Sequence, residues 1–265
     1  MKLHELHGYE LGNRTVSYKE SDAILYALAV GVESKEMDLV YERDLRILPT
    51  YACALGLWAV ESAGELGVYD RKFSLHASQS LILKNPMPKS GVIETIGRIT
   101  SVWDKGKAAL VDIVVESEFF KVSYGIFLPG LGGWGGERGL GSPSKDEETG
   151  NIWNGSYATS PNQAALYRLT GDLHPIHIDP HVAKANSFER PILHGLCTLG
   201  IAARMISEAA NAHPADLKEL DARLSNPVLP GDVIEVSAKT TFSGLNFEAS
   251  VGSNTVIKGG RATFC

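Results

Sequence analysis

Apolar residues run through the chain with two different periods. Alternating or near-continuous apolar stretches rich in Val, Ile and Phe at 92–100, 108–118 and 120–128 predict strands, and so do 232–241, 247–251 and 255–264. Ahead of each set lies an apolar, small-residue segment with helical spacing, near 51–64 and near 194–210. Ahead of each of these, a short helix is predicted: Ser21-Asp22 and Ser160-Pro161-Asn162 supply starting signals before the runs AILYAL (23–28) and AALYRL (164–169).

Those two runs lie 141 positions apart, and the same spacing recurs downstream. It relates LKNP at 83–86 to LSNP at 224–227, and Val92-Ile93-Glu94 to Val233-Ile234-Glu235. A single register held over this length implies a duplicated unit. Each copy reads as helix followed by antiparallel strands, an α+β plan in which a sheet wraps a central helix. The expected division is a first repeat at 1–128, a linker at 129–154 and a second repeat at 155–265. The linker holds GLGGWGGERGLGSPSKDEETGN; without a G-x-x-x-x-G-K-[ST] pattern it reads as a surface loop in preference to a phosphate cradle.

Composition narrows the class. The 265 residues are 44% hydrophobic, enough for a sizeable core, and the net charge of −6 argues against a protein built to hold nucleic acid or an anionic membrane. No apolar run reaches membrane-span length, and the first residues show no apolar signal core. Cys53, Cys197 and Cys265 form no C-x-x-C pair, which fits a reducing, cytoplasmic setting, as does the absence of a terminal S-K-L. Cys197 falls inside an apolar helix and reads as core.

The densest polar cluster is YRLTGDLHPIHIDPH at 167–181, a loop stiffened by Pro175 and Pro180 that would hold its side chains in fixed directions. Shortly after it, Gly195 stands where RPILHGLCT turns into the long apolar helix, so a ligand can approach unsatisfied N–H groups closely there. The duplication sharpens the picture. Asp172 corresponds to Gly31 and His177 to Glu36, so one copy keeps the scaffold without these two residues, which points to chemistry instead of folding.

The run Y-R-L-T-G-D-L-H-P-I-H-I-D-P followed by F-E-R-P-I-L-H-G-L-C-T-L-G closely resembles the hydratase 2 motif of the MaoC-like family, the (R)-specific 2-enoyl-CoA hydratases. The resemblance implies a double hot-dog fold whose second repeat is catalytic and whose first, degenerate repeat accommodates the acyl chain. It implies Asp172 and His177 as the acid–base dyad, the Gly195 N–H as oxyanion donor, an acyl-CoA thioester as substrate with no separate cofactor or metal, and a homodimer. Two positions depart from the pattern. His174 replaces the usual Asn that helps to hold the water, and Ser187 replaces the usual Gly before Phe188.

Adding water to an enoyl thioester needs a base at C3, an acid at C2 and a donor for the developing enolate, and those residue types can supply all three. Lys184, Arg190, His194 and Arg204 are further substrate-binding candidates, the basic ones for coenzyme A phosphates, although basic residues on helices are commonly just solvated. His76 and Gln79 could line the acyl tunnel or be an ordinary polar strand edge; Trp58, Trp103 and Trp153 read as packing. Three rivals stand against the hydratase reading. One is a metal-dependent hydrolase using His174, His177, Asp179 and His181 with His194 or His213. The others are a hot-dog thioesterase and a non-catalytic acyl-CoA-binding protein.

Overall fold

The computed structural model describes residues 1–139 and 148–265. The first half runs β1 (Glu10–Tyr18), α1 (Glu20–Ala29), α2 (Met37–Val40), α3 (Tyr51–Leu55), α4 (Trp58–Glu65), β2 (Leu75–Leu83), β3 (Gly91–Asp104), β4 (Ala108–Glu116) and β5 (Phe120–Pro129). The second runs β6 (Glu148–Ala158), α5 (Gln163–Tyr167), α6 (Pro180–Ala185), α7 (Gly195–Ala209), β7 (Leu217–Leu224), β8 (Val233–Thr241), β9 (Leu245–Val251) and β10 (Asn254–Phe264). All ten strands form one sheet in the order β1-β3-β4-β5-β2-β7-β10-β9-β8-β6. The halves join at its centre, where β2 and β7 pair antiparallel with Ser80 opposite Asp221.

This is the α+β plan expected from the repeat, with five strands per half instead of three. The added strands lacked a clear signal for a physical reason. β1 is an edge strand, largely exposed on both faces, and β2 (LHASQSLIL) carries polar residues on both faces. β6 begins at Glu148, inside the span expected as linker; its Trp153 and Asn154 pair with Ala238 and Ser237 of β8. Residues 140–147 of that linker lie outside the described residues.

The linker's glycines do form a cradle, and its occupant is the protein's own carboxylate. Asp104 accepts from the N–H groups of Gly106, Gly133 and Gly135, each at 2.8 Å, and of Gly136 at 3.3 Å. These backbone donors, Gly133 foremost, pull its pKa down to about 2.

The central helices are buried against the inner face of the sheet. In α7 every residue from Leu196 to Ala203 is buried, as expected of a helix apolar on all sides. The first-half counterpart, predicted as one helix near 51–64, is broken into α3 and α4. The Tyr124 hydroxyl donates to the Cys53 carbonyl at 2.7 Å, diverting it from the helical ladder, and a side chain at Gly56 would meet that same hydroxyl at 2.6 Å. The start of α1 also differs from expectation. Lys19 is its N-cap residue, and Asp22 sits three positions inside, accepting the Lys19 N–H at 2.8 Å. Tyr26 and Tyr167, equivalent in the repeat, meet at a ring separation of 5.9 Å where the two copies pack together.

Candidate active site

Asp172, His177 and His194 each bring one donor atom to within 4.8 Å of the others. The loop between α5 and α7 supplies the first two. His174 caps a one-turn 3-10 helix, Pro175–His177, by accepting the Ile176 N–H on Nδ1 at 3.3 Å, while Asp172 Oδ1 accepts the His174 N–H at 3.2 Å. Asp179 caps α6 by accepting the His181 N–H at 2.7 Å. Pro175 and Pro180, each at the first position of its turn, fix the path between them.

His177 donates Nδ1–H to the Ile192 carbonyl at 2.9 Å, which leaves the Nε2 lone pair free to act as a base. Its ring stacks on His194 with centroids 3.6 Å apart and planes 25° from parallel. Burial lowers the His177 pKa and His174 pushes in the same direction, while the Asp172 carboxylate and the Ile192 carbonyl push it back up. The ring is therefore neutral at pH 7 and stands ready to accept a proton. His194 is 1% exposed, donates Nε2–H to the Asp172 carbonyl at 3.1 Å, and is held down to about 3 by burial and then by His177. Its Nδ1 is buried without a partner. His194 thus ties the His177 ring to the Asp172 backbone.

Gly195 opens α7 directly after His194, and the first N–H groups of that helix have no acceptor within it. Packing favours a small residue there as well, since a side chain would meet Leu224 Cδ1 at 2.6 Å unless that leucine shifts. The helix dipole and these N–H groups favour negative charge beside the dyad.

The other candidates are dispersed. Lys184 is exposed on α6, and exposed Arg190 donates to the Pro230 carbonyl at 3.3 Å. Arg204 donates to the Val30 carbonyl at 3.2 Å and lies over the Tyr157 ring, so its contacts are within the fold. The first half contributes residues that no motif announced. The Asp172 charge acts on His76 of β2 and on Glu61 of α4, and that of Arg71 acts on His174. The pairing of β2 with β7 and the packing of α1 and α3 against α5 and α7 bring the two halves together here.

The ligand atoms of this trio lie close enough for a metal, but their geometry fits a water better. Two imidazoles stacked almost parallel aim their in-plane lone pairs along neighbouring lines instead of at one point, and each already spends a nitrogen on a backbone carbonyl. Of the expected set, Asp179 spends its carboxylate on the α6 cap, His181 is exposed on that helix and outside the Asp172–His177–His194 group, and His213 pairs with Asp38 at 3.2 Å.

Ser187 has φ +66°, just past the end of α6, where the Phe188 N–H reaches back to the Ala183 carbonyl at 3.0 Å. This left-handed C-terminal turn is the one glycine normally occupies, which explains the glycine in the family pattern. Ser187→Gly is expected to stabilise the protein by about 0.5–1 kcal/mol, read as a higher urea midpoint at unchanged slope. A lower midpoint would mean that the serine side chain makes up for its strain.

A double hot-dog with a carboxylate and an imidazole beside a helix N-terminus defines a protein class, and the comparisons place the chain within it. Residues 16–123 match the MFE-2 hydratase 2 N-terminal domain, and residues 149–258 match the MaoC like domain. A probable enoyl-CoA hydratase 2 of Dictyostelium discoideum is 39% identical over 81% of this chain and 79% of its own length. The peroxisomal multifunctional enzyme type 2 of Mus musculus is 33% identical over 92% of this chain, which spans 36% of that longer protein. Among solved structures, a MaoC-like dehydratase from Phytophthora capsici superposes with TM-score 0.88 at 27% identity over 99% of this chain and 97% of its own. The chain belongs to the MaoC-like hydratase 2 family. No described helix is long and apolar enough to cross a membrane.

Proposed function

We propose that the chain adds water reversibly to trans-2-enoyl-CoA, giving (3R)-3-hydroxyacyl-CoA. The observation that carries this reading is the convergence of Asp172 and the free Nε2 face of His177 within reach of one water, beside the N-terminus of α7. The names of the relatives, enoyl-CoA hydratase 2 among them, support it. Asp172 orients the water and His177 Nε2 takes its proton as the oxygen bonds to C3. The electron pair of the double bond shifts towards the thioester oxygen, where the Gly195 N–H stabilises the enolate. The imidazolium, steadied by the Asp172 carboxylate, then returns the proton to C2. Dehydration runs the same steps backwards.

The test is loss of enoyl absorbance with crotonyl-CoA and longer substrates, followed by chiral analysis of the product. Exclusive (3S) product, or thioester hydrolysis without hydration, would overturn the reading. A homodimer accords with the free outer edges of β1 and β6, each paired on one side only; light scattering at about twice the 28.6 kDa chain mass is the expected result.

His174 acts here as a holder of loop and water. The acceptor on its ring is already engaged by Ile176, so Nε2–H is the group left to face the site. Asparagine can accept the same N–H and offer an amide donor, so His174→Asn is expected to keep most activity, whereas His174→Ala loses about tenfold. Protonation removes the acceptor. Burial lowers the His174 pKa, so wild-type kcat/KM falls only on the acidic side, and more steeply than in His174→Asn. An Asn variant as inactive as Asp172→Asn would show that the imidazole itself carries chemistry.

A further inference from the structure

We propose that the outer face of the second-half sheet carries a binding site for a phosphorylated nucleotide, separate from the reaction site. A groove of about 460 Å³ lies there across β7, β10, β9, β8 and the edge strand β6, a volume suited to a mononucleotide. It faces away from the dyad. Arg223 and Lys258 are exposed on it, while their neighbours Ala222 and Ile257 are buried on the side of α7.

The groove is made by an irregularity in β10. Between Lys258 and Arg261 that strand spends three steps where β7 spends two, and between Ile257 and Gly260 it does the same against β9. Gly259, at φ +59°, turns the bulge. Gly259, with open space where a side chain would stand, leaves bare backbone that a ligand can approach, while Gly260 beside it packs on the Phe247 ring.

The charges around this floor are arranged for an anion. Lys258 and Arg223 stand directly opposite each other on paired strands, a like-charge arrangement that is unfavourable without a counter-charge. Neither forms an ion pair with a described carboxylate, although the Arg223 charge is felt by Asp221. The other charges are matched: Arg261 faces Asp221 at 3.8 Å, Lys239 holds Glu148 at 2.5 Å, and Glu248 has interactions of its own. A phosphate ester placed between Arg223 and Lys258 would relieve their repulsion and accept from both. Ile152, 57% exposed on β6, offers an apolar surface for a base.

The test is calorimetric titration of the whole protein with ADP and, separately, with inorganic phosphate, repeated on the double variant Arg223→Gln/Lys258→Gln. ADP is expected to bind one to one, at least tenfold more tightly than inorganic phosphate. The double variant is expected to bind ADP at least tenfold more weakly, with enoyl-CoA hydration unchanged within twofold. Equal ADP affinity in both proteins, or no saturable binding to the wild type, overturns the site. A fivefold rise in KM for enoyl-CoA in the variant would overturn its separateness, since the groove would then be holding the nucleotide of the substrate. Binding is read without turnover, so failure here is distinct from failure of the hydratase reading.

Discussion

Asp172→Asn and His177→Ala are each expected to lower kcat by about 10²–10⁴-fold while leaving the protein folded. The asparagine keeps an oxygen for the His174 N–H and so preserves the loop, but it cannot hold the water by charge or steady the imidazolium. The alanine removes the only ring nitrogen of the dyad that is free to accept a proton. Neither side chain is a fully buried packing element, and the first copy of the repeat carries Gly31 and Glu36 at these positions. Urea unfolding should therefore shift by about 1 kcal/mol or less, in line with substitutions outside the core. The effect should fall on kcat with KM little changed, because the dyad acts on the water and the reacting carbons. A variant that retains most of its turnover would remove Asp172 or His177 from the mechanism.

Stability is expected to fall steeply as pH drops from about 6.5 towards 4. His194, His177 and His76 all have pKa values lowered by burial, with His194 held down to about 3. An unfolded chain protonates its histidines near pH 6.5, so below that value it binds more protons than the native state and is favoured. The stability is fully present above the unfolded value and declines as pH falls towards the folded one. His194 alone contributes a slope of about 1.4 kcal/mol per pH unit across this window, and His177 and His76 act in the same direction. Asp104, pulled down to about 2, adds its loss only below about pH 4. Urea midpoints at pH 7, 5.5 and 4.5 provide the measurement, with His194→Gln expected to flatten the pH dependence. Midpoints that stay level to pH 4 and drop only below it would assign acid sensitivity to carboxylates and contradict the burial of neutral histidines.

Duplication, fold class and family were legible along the chain, because each rests on local order. A 141-residue spacing, an apolar helix opened by glycine and a proline-framed Asp/His loop survive as linear patterns. What escaped was whatever depends on partners distant in sequence. Asp104 takes three of its four donors from glycines about thirty residues away, and Tyr124 breaks the first central helix by capturing a carbonyl 71 positions earlier. β1, β2 and β6 became strands because neighbouring strands satisfied their backbones, although their own side chains follow no clear alternation. Roles within the site divide the same way. The sequence by itself determined which residues could carry acid–base chemistry and on which copy they lie. Only the tertiary structure decided that His194 is buried against His177, that His177 presents Nε2, and that the Asp172 charge reaches His76 and Glu61 of the first half. Protonation state and ring orientation are set by burial and by backbone carbonyls supplied from elsewhere in the fold, and no spacing along the chain encodes either.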